Sequence, residues 1–172
     1  MQIYLRKATM DDAAAVMDVI NQAKAFLKSY HSPQWQDGHP TWEMVKDDIA
    51  KGYTYVLMVD GDIAGTAALK TTSEPNYDAI YDGQWQRPNE PYAIIHRVAF
   101  TAKYRGHHLS SYLFSNIISI GYSQGIRNFR YDTHQVNLPM QKLGEGMGFV
   151  RRGTINVKDK IDHVRMGYEL NL

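Results

Sequence analysis

Ile94-Ile-His-Arg-Val-Ala-Phe100, Thr101-Ala-Lys103 and Tyr104-Arg-Gly-His-His-Leu-Ser110 run on without a break. A β-rich run ends, a short loop carries Arg105-Gly106, and an amphipathic helix begins. Leu109, Tyr112, Leu113, Ile117 and Ile120 keep helical spacing until Gly125 stops it. This layout aims backbone N–H groups and the positive end of a helix at one point, where an anionic phosphate binds. Gly106 lets the backbone approach a ligand with no Cβ in the way.

Upstream, Ile3 to Lys7 alternates as a first strand, and Thr9-Met-Asp-Asp12 reads as a capping box with Asp in place of Glu. Ala13, Val16, Met17, Ile20, Ala23 and Leu27 follow helical spacing. His31 to Gly38 is a polar loop. Pro40-Thr41 opens a second helix, with Met44, Val45 and Ile49 on one side and Gly52 as its stop. Tyr53 to Val59 and Ile63 to Leu69 are strands joined by the hairpin signal Asp60-Gly61. Thr71 to Glu90 is a long irregular segment broken by Pro75, Gly83 and Pro88; such a loop in a compact domain is functional or disordered.

Tyr92 to Phe100 is the central strand, and Asn128 to Asp132 is a short one. Asn137-Leu-Pro139 caps a helix that ends before Gly148. Phe149 to Val157 and His163 to Leu170 are closing strands around the charged turn Lys158-Asp-Lys-Ile-Asp162. The order β-α-α-β-β-β-α-β-α-β-β pairs hairpins antiparallel early and makes one parallel crossover from Tyr92 to Asp132. The expected fold is α/β with an α+β-like mixed sheet: one domain over residues 1–172, about seven strands flanked by about four helices.

The chain has 172 residues, enough for one sizeable core. With 44% apolar and 22% charged residues it reads as a folded soluble domain, and a net charge of +1 disfavours a nucleic-acid partner. Without cysteine there is no disulfide scaffold, Cys-ligated metal or thiol nucleophile, which fits a reducing cytoplasm. The seven histidines have no ligand spacing, and the neighbours His107 and His108 are poor joint ligands, so no metal is expected. Met1-Gln-Ile-Tyr-Leu-Arg6 enters a strand at once with no signal peptide ahead of it, and no apolar run approaches membrane-spanning length.

Four pieces of sequence, in order, resemble the GNAT superfamily of N-acetyltransferases across essentially the whole chain. They are His96-Arg-Val-Ala-Phe100, the loop Arg105-Gly-His-His-Leu-Ser110, Asp132-Thr-His134 with Asn137, and Gly146-Met-Gly-Phe149. The family's loop usually reads Gln/Arg-x-x-Gly-x-Gly/Ala. Arg105 takes its first position, His108 its central glycine and Ser110 its last small residue.

The resemblance implies acetyl-CoA as co-substrate and direct acetyl transfer to a primary amine of a small molecule or peptide. Arg105, Gly106, His107, His108, Leu109 and Ser110 would cradle the pyrophosphate. Backbone edges of Val98, Ala99 and Phe100 would pair with the pantetheine arm, and Asn137 would lie beside it. No membrane partner is implied, and a homodimer is compatible, dimers being the commonest soluble oligomer. Many members carry a tyrosine in Asn-x-x-Ala-x-x-Leu-Tyr that protonates the departing thiolate; Gly144 stands at that position here. Its loss motivates an alternative, a non-catalytic acyl-CoA-binding or sensor domain on the same fold.

An ammonium acceptor with a pKa of roughly 10 must lose a proton before it attacks. His96 is the candidate catalytic base; equally, it is a strand histidine bonded to a backbone carbonyl. Arg97 points to the opposite face of a regular strand, to pair with a carboxylate. Asp132 and His134 relay a proton or cap the turn into the next helix. Tyr77, Tyr81 and Trp85, with Glu74, Asp78, Asp82 and Glu90, make the Thr71–Glu90 segment acidic and aromatic. Such a segment favours a cationic acceptor beside the site, or is a solvated loop or dimer contact.

Overall fold

A computed structural model describes all 172 residues. Seven strands form one mixed sheet in the order β1-β2-β3-β4-β5-β7-β6. The strands are β1 (Ile3–Lys7), β2 (Thr54–Val59), β3 (Asp62–Lys70), β4 (Ala93–Phe100), β5 (Asn128–Thr133), β6 (Val150–Asn156) and β7 (Val164–Asn171). Four helices cover it: α1 (Ala13–Ser29), α2 (Trp42–Ala50), α3 (Leu109–Ser123) and α4 (Leu138–Gly146). The β2–β3 turn places Asp60 and Gly61 both at positive φ, the conformation a two-residue hairpin turn needs. Only β4 and β5 run parallel. No helix is long and apolar enough to cross a membrane.

The alternation of strand residues divides the core. Tyr55, Leu57, Ile95, Phe129 and Tyr131 face α3, packed on Leu113, Phe114 and Ile117. Val56, Met58 and Ala99 face α1 and α2, packed on Val16, Ile20, Val45 and Ile49. Burial of these apolar side chains contributes about 1.5–3 kcal/mol each and fixes which face every strand residue takes.

The segment between β3 and β4 leaves most of its residues exposed but is anchored at a few positions. Tyr77 and Trp85 are buried in a small cluster with Ile94 and Ile155, and Tyr81 bridges to Thr154 on β6. Its anchor is a charged pair inside the sheet. Arg130 on β5 binds Glu169 on β7 at 3.1 Å, both fully buried. The Arg130 guanidinium lies between the rings of Trp85 (4.3 Å) and Tyr92 (4.0 Å). The Gln86 amide donates to the second Glu169 oxygen at 2.7 Å, and the Trp85 indole N–H donates to the Tyr77 carbonyl at 2.9 Å. Two ions in the core thus find partners in the segment that covers them, as buried charge requires.

Candidate active site

β4 and β5 pair only at Ala93–Phe129 and Ile94–Arg130, then part. The edge of β4 beyond Ile94 has no strand partner on that side, so its backbone groups are free to bind an extended ligand. A cavity of about 790 Å³ opens there, lined on one wall by Ile95 to Phe100 and on the other by Asp132, Thr133 and α4.

A bulge in β4 shapes this wall. Ala68 of β3 faces His96, but Thr66 faces Ala99, so two steps on β3 match three on β4. Arg97 takes up the extra residue at φ 53°. Its backbone turn resets the alternation: Ile95 faces α3, and after the bulge Val98 and Phe100 do so, while Ala99 turns to α1 and α2. The strand is therefore not regular at Arg97. Its side chain nonetheless finds a carboxylate, an ion pair with Asp48 of α2. Burial pushes the Arg97 pKa down to about 10, still a cation at neutral pH.

His96 lines the cavity just before the bulge, and its ring makes no hydrogen bond to another residue. Burial lowers its pKa below the ordinary histidine value, against the opposing pull of Asp132 and Glu74. Neutral imidazole is the form that can accept a proton. The Tyr77 ring meets His96 edge-on at 6.1 Å, and the Tyr77 hydroxyl donates to Asp132 at 2.6 Å. Glu74 is engaged by Lys70 at 2.6 Å.

At the other end of the cavity the chain turns through Arg105-Gly106-His107-His108 into α3. Gly106 has φ 85°, and open space lies where its Cβ would be. His108 has φ 56°, the left-handed conformation that the family's glycine position implies, held by a non-glycine at a cost of about 1 kcal/mol. The amides of Gly106 and His108 make no backbone bond, whereas the His107 amide donates to the Tyr104 carbonyl at 3.3 Å. Arg105, Gly106, His108, Leu109 and Ser110 line the cavity; His107 does not, its ring lying edge-on to Tyr104 at 6.2 Å. Arg105 stacks its guanidinium 4.1 Å from the Phe26 ring of α1. Free amides, a helix start and a guanidinium at one end fit a pyrophosphate; an unpaired strand edge fits the arm that follows it.

Residues 21–149 match the model of the acetyltransferase (GNAT) family. The chain belongs to that family. An acetyltransferase of the GNAT family from Streptococcus agalactiae is 31% identical, superposes with a TM-score of 0.89, and covers 99% of this chain and 95% of its own. A Listeria monocytogenes acetyltransferase of the GNAT family (18% identity, TM-score 0.76, 99% and 95% coverage) shares the fold. So does the PaiA N-acetyltransferase of Thermoplasma acidophilum, solved in complex with coenzyme A (15%, TM-score 0.75, 100% of both chains). Comparison with curated proteins found no match.

In this acetyltransferase Asn137 caps α4, accepting from the Met140 amide at 3.3 Å, and lines the cavity. Its amide nitrogen donates to Gln34 at 3.2 Å, and Gln34 also accepts from the His134 amide at 3.4 Å. The α1–α2 loop is thereby tied across the cavity to the end of β5. His134 accepts from the Val136 amide on Nδ1 (3.2 Å), so its Nε2 carries the hydrogen and donates to Asp162 at 2.9 Å. That bond holds the Asp162 pKa below the usual carboxylate range. His134 fixes the turn into α4 and does not face His96, whereas Asp132 does, through Tyr77.

The sequence reading missed Tyr30 and Gln34, and named Tyr77 only as part of its aromatic segment. Tyr30 lines the cavity with its hydroxyl 3.5 Å from Asn137 Oδ1, a contact across 107 positions of sequence. Tyr112 and Tyr122 are exposed on α3 and Tyr168 is buried on the Tyr131 ring, so none of the three lines the cavity. A signal for Tyr77 existed in the aromatic density of its segment.

Proposed function

We propose that this GNAT protein moves an acetyl group from acetyl-CoA directly to a primary amine, with His96 taking the amine proton. The observation that carries it is the cavity between the parted β4 and β5, with a neutral, unpartnered imidazole on one wall. Val98, Ala99 and Phe100 offer the strand edge for the pantetheine arm. Arg105, Gly106, His108, Leu109 and Ser110 hold the pyrophosphate, and Asn137 borders the arm. His107 contributes less than its neighbours, since its amide is engaged and its ring lies outside the cavity.

When bound, acetyl-CoA supplies an activated carbonyl. The protein holds the amine in attacking geometry, which accounts for a large part of the barrier. A β4 amide stabilises the developing oxyanion. Asp132 supplies negative charge on the His96 side of the cleft, suited to an approaching ammonium. The acceptor is a small-molecule or peptide amine, and the setting is the cytoplasm, consistent with a chain free of cysteine.

The test is thiol release from acetyl-CoA across a panel of primary amines, with the acetylated product identified by mass. Release with at least one amine, abolished by His96→Ala, is the expected result. A second reading, an acyl-CoA-binding domain without turnover, is favoured by one observation: α4 offers no hydroxyl at Gly144. Calorimetric binding of acetyl-CoA with no thiol release from any amine would establish it.

A further inference from the structure

We infer that Tyr30, the residue just after α1, donates the proton to the departing sulfur. The inference rests on the cofactor reading above and supplies what α4 lacks. The position two turns after Asn137 is Gly144, and it faces the Tyr131 ring rather than the cavity. A hydroxyl for the leaving group must come from another element.

The other hydroxyls are already engaged or out of reach. Tyr104 donates to Asp62 at 2.9 Å, and Tyr77 to Asp132 at 2.6 Å. Ser110 sits at the start of α3, the phosphate end of the cavity. The Thr133 hydroxyl is sealed from solvent and has no partner. Tyr30 alone lines the cavity with a phenol whose one partner, Asn137 Oδ1, is 3.5 Å away, the weak limit of a hydrogen bond. That oxygen already accepts from the Met140 amide, so the phenol can swing to a better acceptor without leaving a buried group unsatisfied. Phe26 meets the Tyr30 ring edge-on at 5.2 Å and holds its plane.

Burial alone raises the Tyr30 pKa above the ordinary phenol value, so the group stays protonated at neutral pH. As the amine nitrogen bonds to the carbonyl carbon and the C–S bond breaks, Tyr30 gives its phenolic hydrogen to sulfur. His96 takes the proton that the amine nitrogen sheds. Solvent then returns a proton to the phenolate and removes one from His96, so that thiol and amide leave with charge balanced.

The experiment needs no acceptor. Coenzyme A is bound to wild type and to Tyr30→Phe, and the thiol is titrated by its thiolate absorbance. The same proteins loaded with desulfo-coenzyme A serve as blanks that cancel tyrosine ionisation. A phenol donating to sulfur stabilises the thiolate, so Tyr30→Phe moves the thiol midpoint upward by about one pH unit or more. Calorimetry shows coenzyme A affinity within about threefold, and melting confirms the fold, since a half-buried phenol loses only its oxygen. An unchanged midpoint with binding intact overturns the role of Tyr30 and leaves the cofactor reading standing. Failure of wild type to bind coenzyme A overturns both.

Discussion

Gly144 of α4 and the phenol of Tyr131 on β5 compete for one space: any Cβ at position 144 would overlap the Tyr131 hydroxyl and ring. Tyr131 cannot yield. It stacks on Tyr168 at 4.8 Å and takes edge contacts from Phe114 and Phe149 at 6.1 and 5.1 Å. The helix therefore approaches the sheet at a glycine, and the space a side chain there would take is filled by an aromatic ring from β5.

Replacing Gly by Ala inside a helix ordinarily stabilises by about 1 kcal/mol. At position 144 the sign reverses. Gly144→Ala is expected to lose about 1–3 kcal/mol through overpacking, lowering Tm by roughly 2–4 °C per kcal/mol. Tyr131→Phe in the same chain removes the overlapping oxygen and recovers part of the loss, a coupling that thermal melts of the two single variants and the double variant measure. Gly144→Tyr, the substitution that restores the family's residue, is expected to give less folded protein rather than faster acetyl transfer.

His108 sits in left-handed geometry at the entry to α3, so its backbone and not its imidazole sets its tolerance. His108→Gly relieves the strain and is expected to melt about 1–3 °C higher, the gain being trimmed by the greater freedom of glycine in the unfolded chain. His108→Val is expected to melt several degrees lower, because a β-branched residue resists positive φ. Calorimetry with coenzyme A should follow the same order, with His108→Gly within about threefold of wild type and His108→Val weaker. A large loss of affinity in His108→Gly would show instead that the imidazole itself holds phosphate.

The pH profile reports on His96. Its charged surroundings are Asp132 and Glu74, which raise its pKa, and Lys70, which lowers it; burial outweighs them and leaves it below 6.5. If it is the base, kcat/KM falls as the pH drops through that depressed value, so the acidic limb lies below pH 6.5. Asp132→Asn removes a favourable charge, lowers the His96 pKa further, and shifts the limb to more acidic pH. His96→Gln removes the limb and costs about 10²–10⁴-fold in rate. Stability carries the same sign. Below pH 6.5 the unfolded chain binds a proton that folded His96 resists, so stability declines as pH falls and levels off beneath the folded pKa.

Much of this architecture is legible in the sequence. Periodicity locates the four helices and seven strands to within a few residues, and Arg105-Gly106 before an amphipathic run marks the end of the cavity where free amides meet a helix start. The β4 bulge leaves no such trace, because Arg97 adopts positive φ without a glycine to signal it, and the apolar alternation restarts one residue later. Tyr30 and Asn137 meet across 107 positions, which no local pattern encodes. The segment before β4 reads as solvated because its acids dominate the composition. The physical clue is elsewhere: Arg130 and Glu169 are charges inside core strands, and an ion pair there needs a cover, which Trp85 and Tyr92 provide.

Thr133 ends β5 with its hydroxyl fully buried and without a hydrogen-bond partner. A buried, unsatisfied hydroxyl costs about 1–3 kcal/mol, whereas a methyl group in the same place costs nothing in lost hydration. Valine keeps the β-branched shape and the strand preference. Thr133→Val is therefore expected to stabilise the ligand-free protein, raising Tm by about 2–6 °C, while binding of coenzyme A stays unchanged. Thr133 borders the cavity, but its hydroxyl is turned away from solvent, so a loss of affinity in Thr133→Val, measured by calorimetry beside the melt, would mean that the hydroxyl rotates into the cleft when ligand enters. An unchanged or lowered Tm would show that the hydroxyl is satisfied in solution, by a bound water or by a turn of the side chain toward a neighbouring carbonyl.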